Sequence, residues 1–210
     1  MRLELFYDVI SPWSFLCFEV LGRYRRAWDI DLVLRPAFLG GVLAATGNAP
    51  PASVPARGAY LVHDLDRTSR QFAVPLRFPS RFPINTIAAM RLLTLIAEEH
   101  PRVHEDAARL LWQRYWQDDV DVADLDVLRA VCGELGVGVD LIEQSALDDN
   151  KARLREATNE AVARGAFGFP AMFVDDGAGS DALFFGSDRL SQLAYVHGLP
   201  WVGPVPPDDF

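Results

Sequence analysis

Cysteine, lysine, net positive charge and long apolar runs are all scarce in this chain, and each scarcity excludes something. Among 210 residues there are only two cysteines, Cys17 and Cys132. They lie far apart, so they make no disulfide framework, no CxxC redox pair and no cysteine-rich zinc site, and a reducing compartment fits best. No uninterrupted apolar run approaches the ~18–20 residues of a membrane span. Basic side chains number 20 against 29 acidic ones, a formal charge of −9. Nothing supplies the basic stripe that phosphate neutralisation needs, so a nucleic-acid partner is not expected. Lys151 is the single lysine beside nineteen arginines, which reads as compositional bias more than function.

What is present is a folding sequence. Half the residues are apolar, too many for a disordered chain, and the length suits one compact domain with a large insertion or two small domains. Met1 to Val9 (MRLELFYDV) has no secretory pattern, since Glu4 and Asp8 interrupt any apolar core. The terminal PVPPDDF fits no lipidation or receptor-read tail. The expectation is a soluble cytoplasmic protein.

Residues 3–9 read as a buried strand. Ser11 and Pro12 then give a strong helix start, a capping serine before a proline at the first helical position, with a helical run from Phe15 to about Trp28. Residues 30–39 alternate as a second strand, Pro36 confining its end to an edge or bulge. Strand, helix, strand in so short a span is a βαβ unit with parallel strands. Residues 40–58, rich in Gly, Pro, Ala and Ser, read as a loop leaving the sheet, and Pro75, Pro79 and Pro83 mark a second irregular stretch. Helical patterns occupy 59–72, 84–99, 103–117, 123–135, 140–148 and 150–164, the last ended by Gly165. Strand character returns at 167–174 and 182–185 around a turn at Asp175-Asp176-Gly177, and Gly186-Ser187-Asp188 starts a final helix over 188–197. The order βαβ, helical block, ββα is thioredoxin topology with an all-helical insertion at the crossover.

Several residues on this scaffold bear on chemistry. Ser11 stands where the first strand passes into the first helix, at a terminus with unpaired N–H donors and about half a positive charge, a setting that favours an anion. Thiols at such positions have lowered pKa values, and a serine there can donate to a bound thiolate. Ser11 also reads simply as a helix cap. Pro170, in Phe167-Gly168-Phe169-Pro170, reads either as an edge proline starting a strand or, in a thioredoxin-type sheet, as a cis proline beside the first helix. The cis form would leave the N–H and C=O of Phe169 free for an extended peptide. Gly186-Ser187-Asp188-Arg189 is a helix cap or a cradle for one end of a small zwitterion. His100 and His104 are separated by Pro101 and lack the HExxH pattern, and His63 and His197 are isolated, so no metal site is expected. Trp112, Tyr115 and Trp116 share one helical face as core or interface packing, or secondarily as the wall of an apolar pocket. Cys17 and Cys132 read as buried and inert.

Taken in order, LFYDVISPWSFL, LRPAFLGGVLAATGNAPP, PARGAYL, GAFGFP, FFGSDRL and WVGPVPP make the chain resemble kappa-class glutathione transferases over nearly its whole length. These are relatives of 2-hydroxychromene-2-carboxylate isomerases and, more distantly, of DsbA-type oxidoreductases. The resemblance implies an α/β, thioredoxin-like fold with an inserted all-helical domain, residues 1–58 and 165–210 forming the glutathione-binding part and 59–164 the insertion, usually as a homodimer. It implies that Ser11 holds the glutathione sulfur as thiolate and that Pro12 and Trp13 complete that turn. Phe169, before Pro170, would pair through its backbone with the cysteinyl part, Ser187 and Asp188 would hold the γ-glutamyl end, and Asn48 and Arg57 the remaining polar groups. Arg57 stands where the family often has lysine, Trp13 where it has tyrosine or phenylalanine, and Phe169 where it has leucine. The last two are expected to border the pocket of a small apolar electrophile.

Three activities are then in view. One is glutathione transfer to that electrophile. Another is isomerisation of a chromene or related unsaturated acid, suggested by Asn85, Thr86, Met90 and Arg91. The third is a non-catalytic glutathione- or peptide-binding module. Thiol–disulfide exchange is set aside because Ser11 and Ser14 occupy the places of a CxxC pair.

Overall fold

The computed structural model describes residues 1–175 and 181–207, so the expected turn at Asp175-Asp176-Gly177 lies largely outside the described residues. The chain opens with β1 (Arg2–Tyr7), α1 (Pro12–Tyr24) and β2 (Asp31–Pro36). Seven helices follow: α2 (Leu39–Thr46), α3 (Pro55–Phe72), α4 (Ile87–Glu99), α5 (His104–Trp116), α6 (Leu125–Glu134), α7 (Leu141–Ser145) and α8 (Asp148–Ala163). It closes with β3 (Ala171–Asp175), β4 (Asp181–Phe185), a 3-10 turn at Ser187–Arg189 and α9 (Leu190–Val196). The sheet order is β2-β1-β3-β4, with β1 parallel to β2 and antiparallel to β3. This is the thioredoxin-like architecture with a helical insertion that the element order implies.

The two faces of the sheet bury separate cores, as a period of two requires. Leu3, Leu5 and Tyr7 of β1, with Met172 and Val174 of β3, face the large core shared with α1, α4 and α5. Phe6, Ala171 and Phe173 face a smaller core with Val42 of α2 and Ala161 of α8. Glu4 points to this second side, where Arg35 and Arg164 meet its carboxylate at 2.8 and 2.6 Å. Burial pushes the Glu4 pKa up, but the two guanidiniums outweigh it and hold the group below its ordinary value.

Several boundaries differ from expectation, α1 ending at Tyr24 short of Trp28 among them, and three differences bear on the site. The segment read as loop over 40–58 contains α2, and α3 begins at Pro55 instead of 59. Gly40 and Gly41 disguise α2 by propensity. Its contact with α8 explains the second glycine, because a Cβ on Gly41 would lie 2.9 Å from the Thr158 methyl. Thr158 is fixed there, accepting from the Phe38 N–H at 3.0 Å and donating to the Leu154 carbonyl at 2.7 Å. Pro55 suits a first helical position, so the proline-rich stretch opens a helix. β3 starts at Ala171 and not at 167, because the chain first turns through the cis Phe169–Pro170 bond. Gly165 (φ +98°) ends α8 as expected, with the Ala166 and Gly165 N–H groups donating to the Ala161 and Val162 carbonyls, each at 2.9 Å.

The two helical glycines at positions 41 and 22 should respond oppositely to a larger side chain. Gly41→Val is expected to cost about 1–3 kcal/mol by overpacking against Thr158. Gly22→Ala, on an exposed part of α1 with nothing within 4 Å of the new Cβ, is expected to gain about 0.5–1 kcal/mol. Urea unfolding of both variants reads the two signs.

Candidate functional site

The site is built where β1 ends. After Tyr7 the chain turns through Asp8-Val9-Ile10 into Ser11, which is extended (φ −88°, ψ 110°) and caps α1. The Ser14 N–H donates to the Ser11 side-chain oxygen at 3.2 Å. Pro12 at the first helical position has no N–H to satisfy, and its fixed φ suits the first turn. The Ser11 hydroxyl then donates to the Phe169 carbonyl at 3.1 Å, across 158 positions of sequence. The Phe169–Pro170 peptide is cis.

Asn48 and the turn at Ser187–Asp188 are tied to the segment that carries this contact through successive bonds. The Asn48 amide donates to the Phe167 carbonyl at 2.7 Å, two residues before Phe169. The Gly186 N–H donates to the Pro170 carbonyl at 3.0 Å, placing the Ser187–Asp188 turn directly behind the cis proline. Ser187 is buried, while Asp188 is exposed and pairs with Arg189 at 3.0 Å. Arg57 and Trp13 line one cleft of about 440 Å³ with Pro51, Ala56, Tyr60, Leu61 and Asp64. A second cleft of about 470 Å³ runs between Phe167, Phe185, Asp188, Arg189 and Gln192.

Two expectations about Phe169 need correction. Its carbonyl is not free, because it accepts the Ser11 hydroxyl. Its ring does not border a substrate pocket either: it is buried in the smaller core with Phe6, Val42 and Phe173. Only the backbone of Phe169 faces Ser11, and the exposed aromatic of that loop is Phe167, packed against Phe185 with the rings tilted at 45° and their centroids 4.3 Å apart. Gly168 lets the two rings meet, since a Cβ there would lie 2.9 Å from the Phe185 ring.

Three groups not expected from the sequence to shape the site, Asp8, His104 and Trp116, lie at or beside the turn. Asp8 is fully buried, its Oδ1 accepting from the Ile10 N–H at 3.1 Å and the Thr86 hydroxyl at 2.8 Å. Its Oδ2 accepts from the Leu39 N–H at 2.9 Å. Burial raises the Asp8 pKa to about 6 against the pull of these donors. His104 is also buried, its Nε2 2.9 Å from the Tyr7 hydroxyl, and burial lowers its pKa to about 4, so it is neutral at pH 7. The Trp116 indole donates to the Val9 carbonyl at 3.0 Å, so the aromatic face of α5 packs in the core and braces the turn. The aromatic spacing is visible in the sequence; the roles of Asp8 and His104 depend mainly on partners distant in the chain.

No protein thiol is available at this place. Cys17 is fully buried against the Met172 sulfur at 3.4 Å, and burial pushes its pKa up. Cys132 is buried in α6. Among the described residues no group of three or more His, Cys, Asp or Glu is placed to hold a metal ion, and no helix is long and apolar enough to cross a membrane.

The chain is similar to known proteins over most of its length. The family model of the DSBA-like thioredoxin domain matches residues 2–197. Glutathione S-transferase kappa 1 of Rattus norvegicus is 40% identical, the match covering 98% of this chain and 94% of the relative. 2-Hydroxychromene-2-carboxylate isomerase of Sphingobium xenophagum is 29% identical over 91% of this chain and 95% of the relative. The solved structure of selenomethionine 2-hydroxychromene-2-carboxylate isomerase superposes with a TM-score of 0.83 at 22% identity, covering 94% of this chain and 95% of that one. The chain belongs to the DsbA-like thioredoxin family, in its enzyme branch of kappa-class glutathione transferases and 2-hydroxychromene-2-carboxylate isomerases.

Asp8 gives the fold a pH signature. The unfolded carboxyl releases its proton near 3.8 and the folded one near 6. Between these values the folded state holds more protons, so this group's contribution to stability falls as pH rises from about 4 to 6. The shift corresponds to about 3 kcal/mol. Asp8→Asn removes the titration and turns an amide N–H₂ or a poorer acceptor toward the Leu39 N–H. The variant is therefore expected to be less stable than wild type, with a deficit that shrinks as pH rises through that window. Denaturant melts of both proteins at pH 4.5, 5.5 and 7 measure it, and a deficit independent of pH contradicts the assignment.

Proposed function

We propose that this enzyme is a kappa-type glutathione transferase that holds the glutathione thiolate at Ser11 and directs it at an apolar electrophile. The observation that carries the reading is the Ser11 hydroxyl at the N-cap of α1, aimed at the carbonyl that precedes a cis proline. Whole-length identity to kappa-class transferases supports it. In this reading the thioredoxin-like part (1–58 and 165–210) carries the glutathione site, 59–164 forms the helical insertion, and the enzyme works as a cytoplasmic homodimer.

Glutathione lies along the Phe169 backbone in extended form. Its sulfur sits over the α1 terminus, where Ser11 gives up the Phe169 carbonyl and donates to the thiolate instead. The helix terminus, with its positive end and unpaired N–H groups, favours the anion. Ser187 and Asp188 meet the γ-glutamyl end, Asp188 supplying the carboxylate for its ammonium group, and Asn48 and Arg57 reach the other polar groups. Pro12 and Pro170 shape the turn and the peptide track. Trp13, Pro51, Tyr60 and Leu61 wall the cleft for the electrophile. The thiolate then forms a carbon–sulfur bond. In a displacement the leaving group departs with its electron pair, and in an addition the resulting carbanion takes a proton from solvent. A thiol pKa near ambient serves best, because a thiolate stabilised too far is a weaker nucleophile.

The isomerase reading uses the same Ser11 with reversible addition of glutathione. The close superposition on an isomerase fold and the Asn85–Arg91 run favour it as the second reading.

Ser11→Ala is expected to raise the pKa of bound glutathione by about one unit and to lower kcat by about 10²-fold, the scale of losing one donor to a developing charge. Glutathione affinity changes less. Ultraviolet thiolate titration and steady-state kinetics measure both, and an unchanged thiol pKa sinks the serine assignment. A glutathione-dependent assay with an aryl halide, a hydroperoxide and a chromene carboxylate separates the activities. Turnover of the first two supports the transferase, strong preference for the third moves the assignment to the isomerase, and glutathione binding without turnover points to a non-catalytic module.

A further inference from the structure

We propose that Asp8 is a positioning residue for the thiol site, its buried carboxylate fixing the Ser11 turn to α2 and to the helical block. The inference rests on the reading of Ser11 given above.

Asp8 is tied on every side. Its own carbonyl accepts the Ser11 N–H at 3.0 Å. Oδ1 accepts the Ile10 N–H at 3.1 Å, closing a two-residue turn inside the Asp8–Ser11 segment. That contact alone would shape the turn. The other two bonds reach further. Oδ2 accepts from Leu39, the first residue of α2, and Oδ1 from the Thr86 hydroxyl, just before α4.

The α2 bond closes a circuit around the site. α2 begins at the Asp8 carboxylate and ends at Gly47 (φ +71°), beyond which Asn48 donates to the Phe167 carbonyl at 2.7 Å. Two residues on, the Phe169 carbonyl accepts the Ser11 hydroxyl at 3.1 Å. Ser11 returns to Asp8 through its N–H. The circuit therefore passes from Ser11 to Asp8, along α2 to Asn48, through Phe167–Phe169, and back to Ser11. Asp8 is its one charged, fully buried member. Thr86 anchors this circuit to the insertion, and the Trp116 indole on the Val9 carbonyl braces the same turn from α5. A reacting group held this way keeps its geometry only while the supporting bonds hold, and small displacements are costly.

The test uses the full-length enzyme with Ser11→Ala as reference, and variants Asp8→Asn, Thr86→Val and Thr86→Ser. Folding is checked by far-ultraviolet circular dichroism and melting. In folded Asp8→Asn the pKa of bound glutathione is expected to rise and KM for glutathione to rise about tenfold. Thr86→Val, which keeps the shape and loses the hydroxyl, shifts both in the same direction by less, and Thr86→Ser retains more of the wild-type values than Thr86→Val. If Ser11→Ala raises the thiol pKa while folded Asp8→Asn leaves thiol pKa and KM as in wild type, the positioning role is wrong and the Ser11 reading stands. If Ser11→Ala itself leaves the thiol pKa unchanged, both fall. Should Asp8→Asn fail to fold, the Thr86 pair decides: equal effects of Val and Ser, or none from either, overturn the proposal.

Discussion

β1 is paired on both sides, parallel to β2 and antiparallel to β3, with Leu3, Leu5, Phe6 and Tyr7 fully buried. A strand so enclosed has one way out, at its C-terminal end, and there it turns at once into α1. The antiparallel register sets Ala171 opposite Phe6. The residues just upstream of Ala171, the cis pair Phe169–Pro170, are thereby delivered to the turn that holds Ser11. Two segments 158 positions apart meet because strand pairing brings them to the same end of the sheet. The register also decides which side of Phe169 matters: its ring follows Ala171 and Phe173 into the smaller core, and its backbone is left toward Ser11.

Much of this was legible from local pattern. The capping serine and proline of α1, the βαβ unit, the long helical run and the glycine closing α8 all carry signals within a few residues, and the structure agrees with each. What stayed hidden depended on distant partners. α2 looked like loop because Gly40 and Gly41 lower helix propensity, yet the second glycine is what brings α2 against Thr158. In the sequence Asp8 reads only as an interruption of any secretory apolar segment, inside a strand expected over residues 3–9. Its partners lie 2, 31 and 78 positions away, and only the first is a local signal. Phe169 misled for the opposite reason: a large aromatic beside a site residue suggests a wall, but side-chain direction is set by sheet parity.

Part of the chain's acidic character is neutralised by arginines away from the Ser11 turn. Glu4, Glu160 and Asp181 are each matched by Arg35 or Arg164 on the outer face of the smaller core, where Arg164 also lies over the Phe173 ring at 4.0 Å. At the α1 terminus Asp8 is buried, its two oxygens accepting from the Ile10 and Leu39 N–H groups and the Thr86 hydroxyl. On the proposed reading, anion binding at the α1 terminus falls to backbone N–H groups, the Ser11 hydroxyl and Arg57 of the neighbouring cleft.

The shortage of cysteine gains a sharper meaning in this setting. A helix terminus beside a cis-proline loop favours a thiolate, and this chain places Ser11 and the fully buried Ser14 where a thiol pair would sit. Its own two sulfhydryls are sealed in helix cores, Cys17 with its pKa pushed up by burial. The Ser11 hydroxyl donates to a backbone carbonyl at 3.1 Å, an acceptor that does not take its proton as a base, and it is placed to turn and donate to an anion that arrives. On the proposed reading, then, the nucleophilic sulfur comes with a soluble thiol, and the protein supplies what sulfur needs there: a donor, a helix end and a rigid turn.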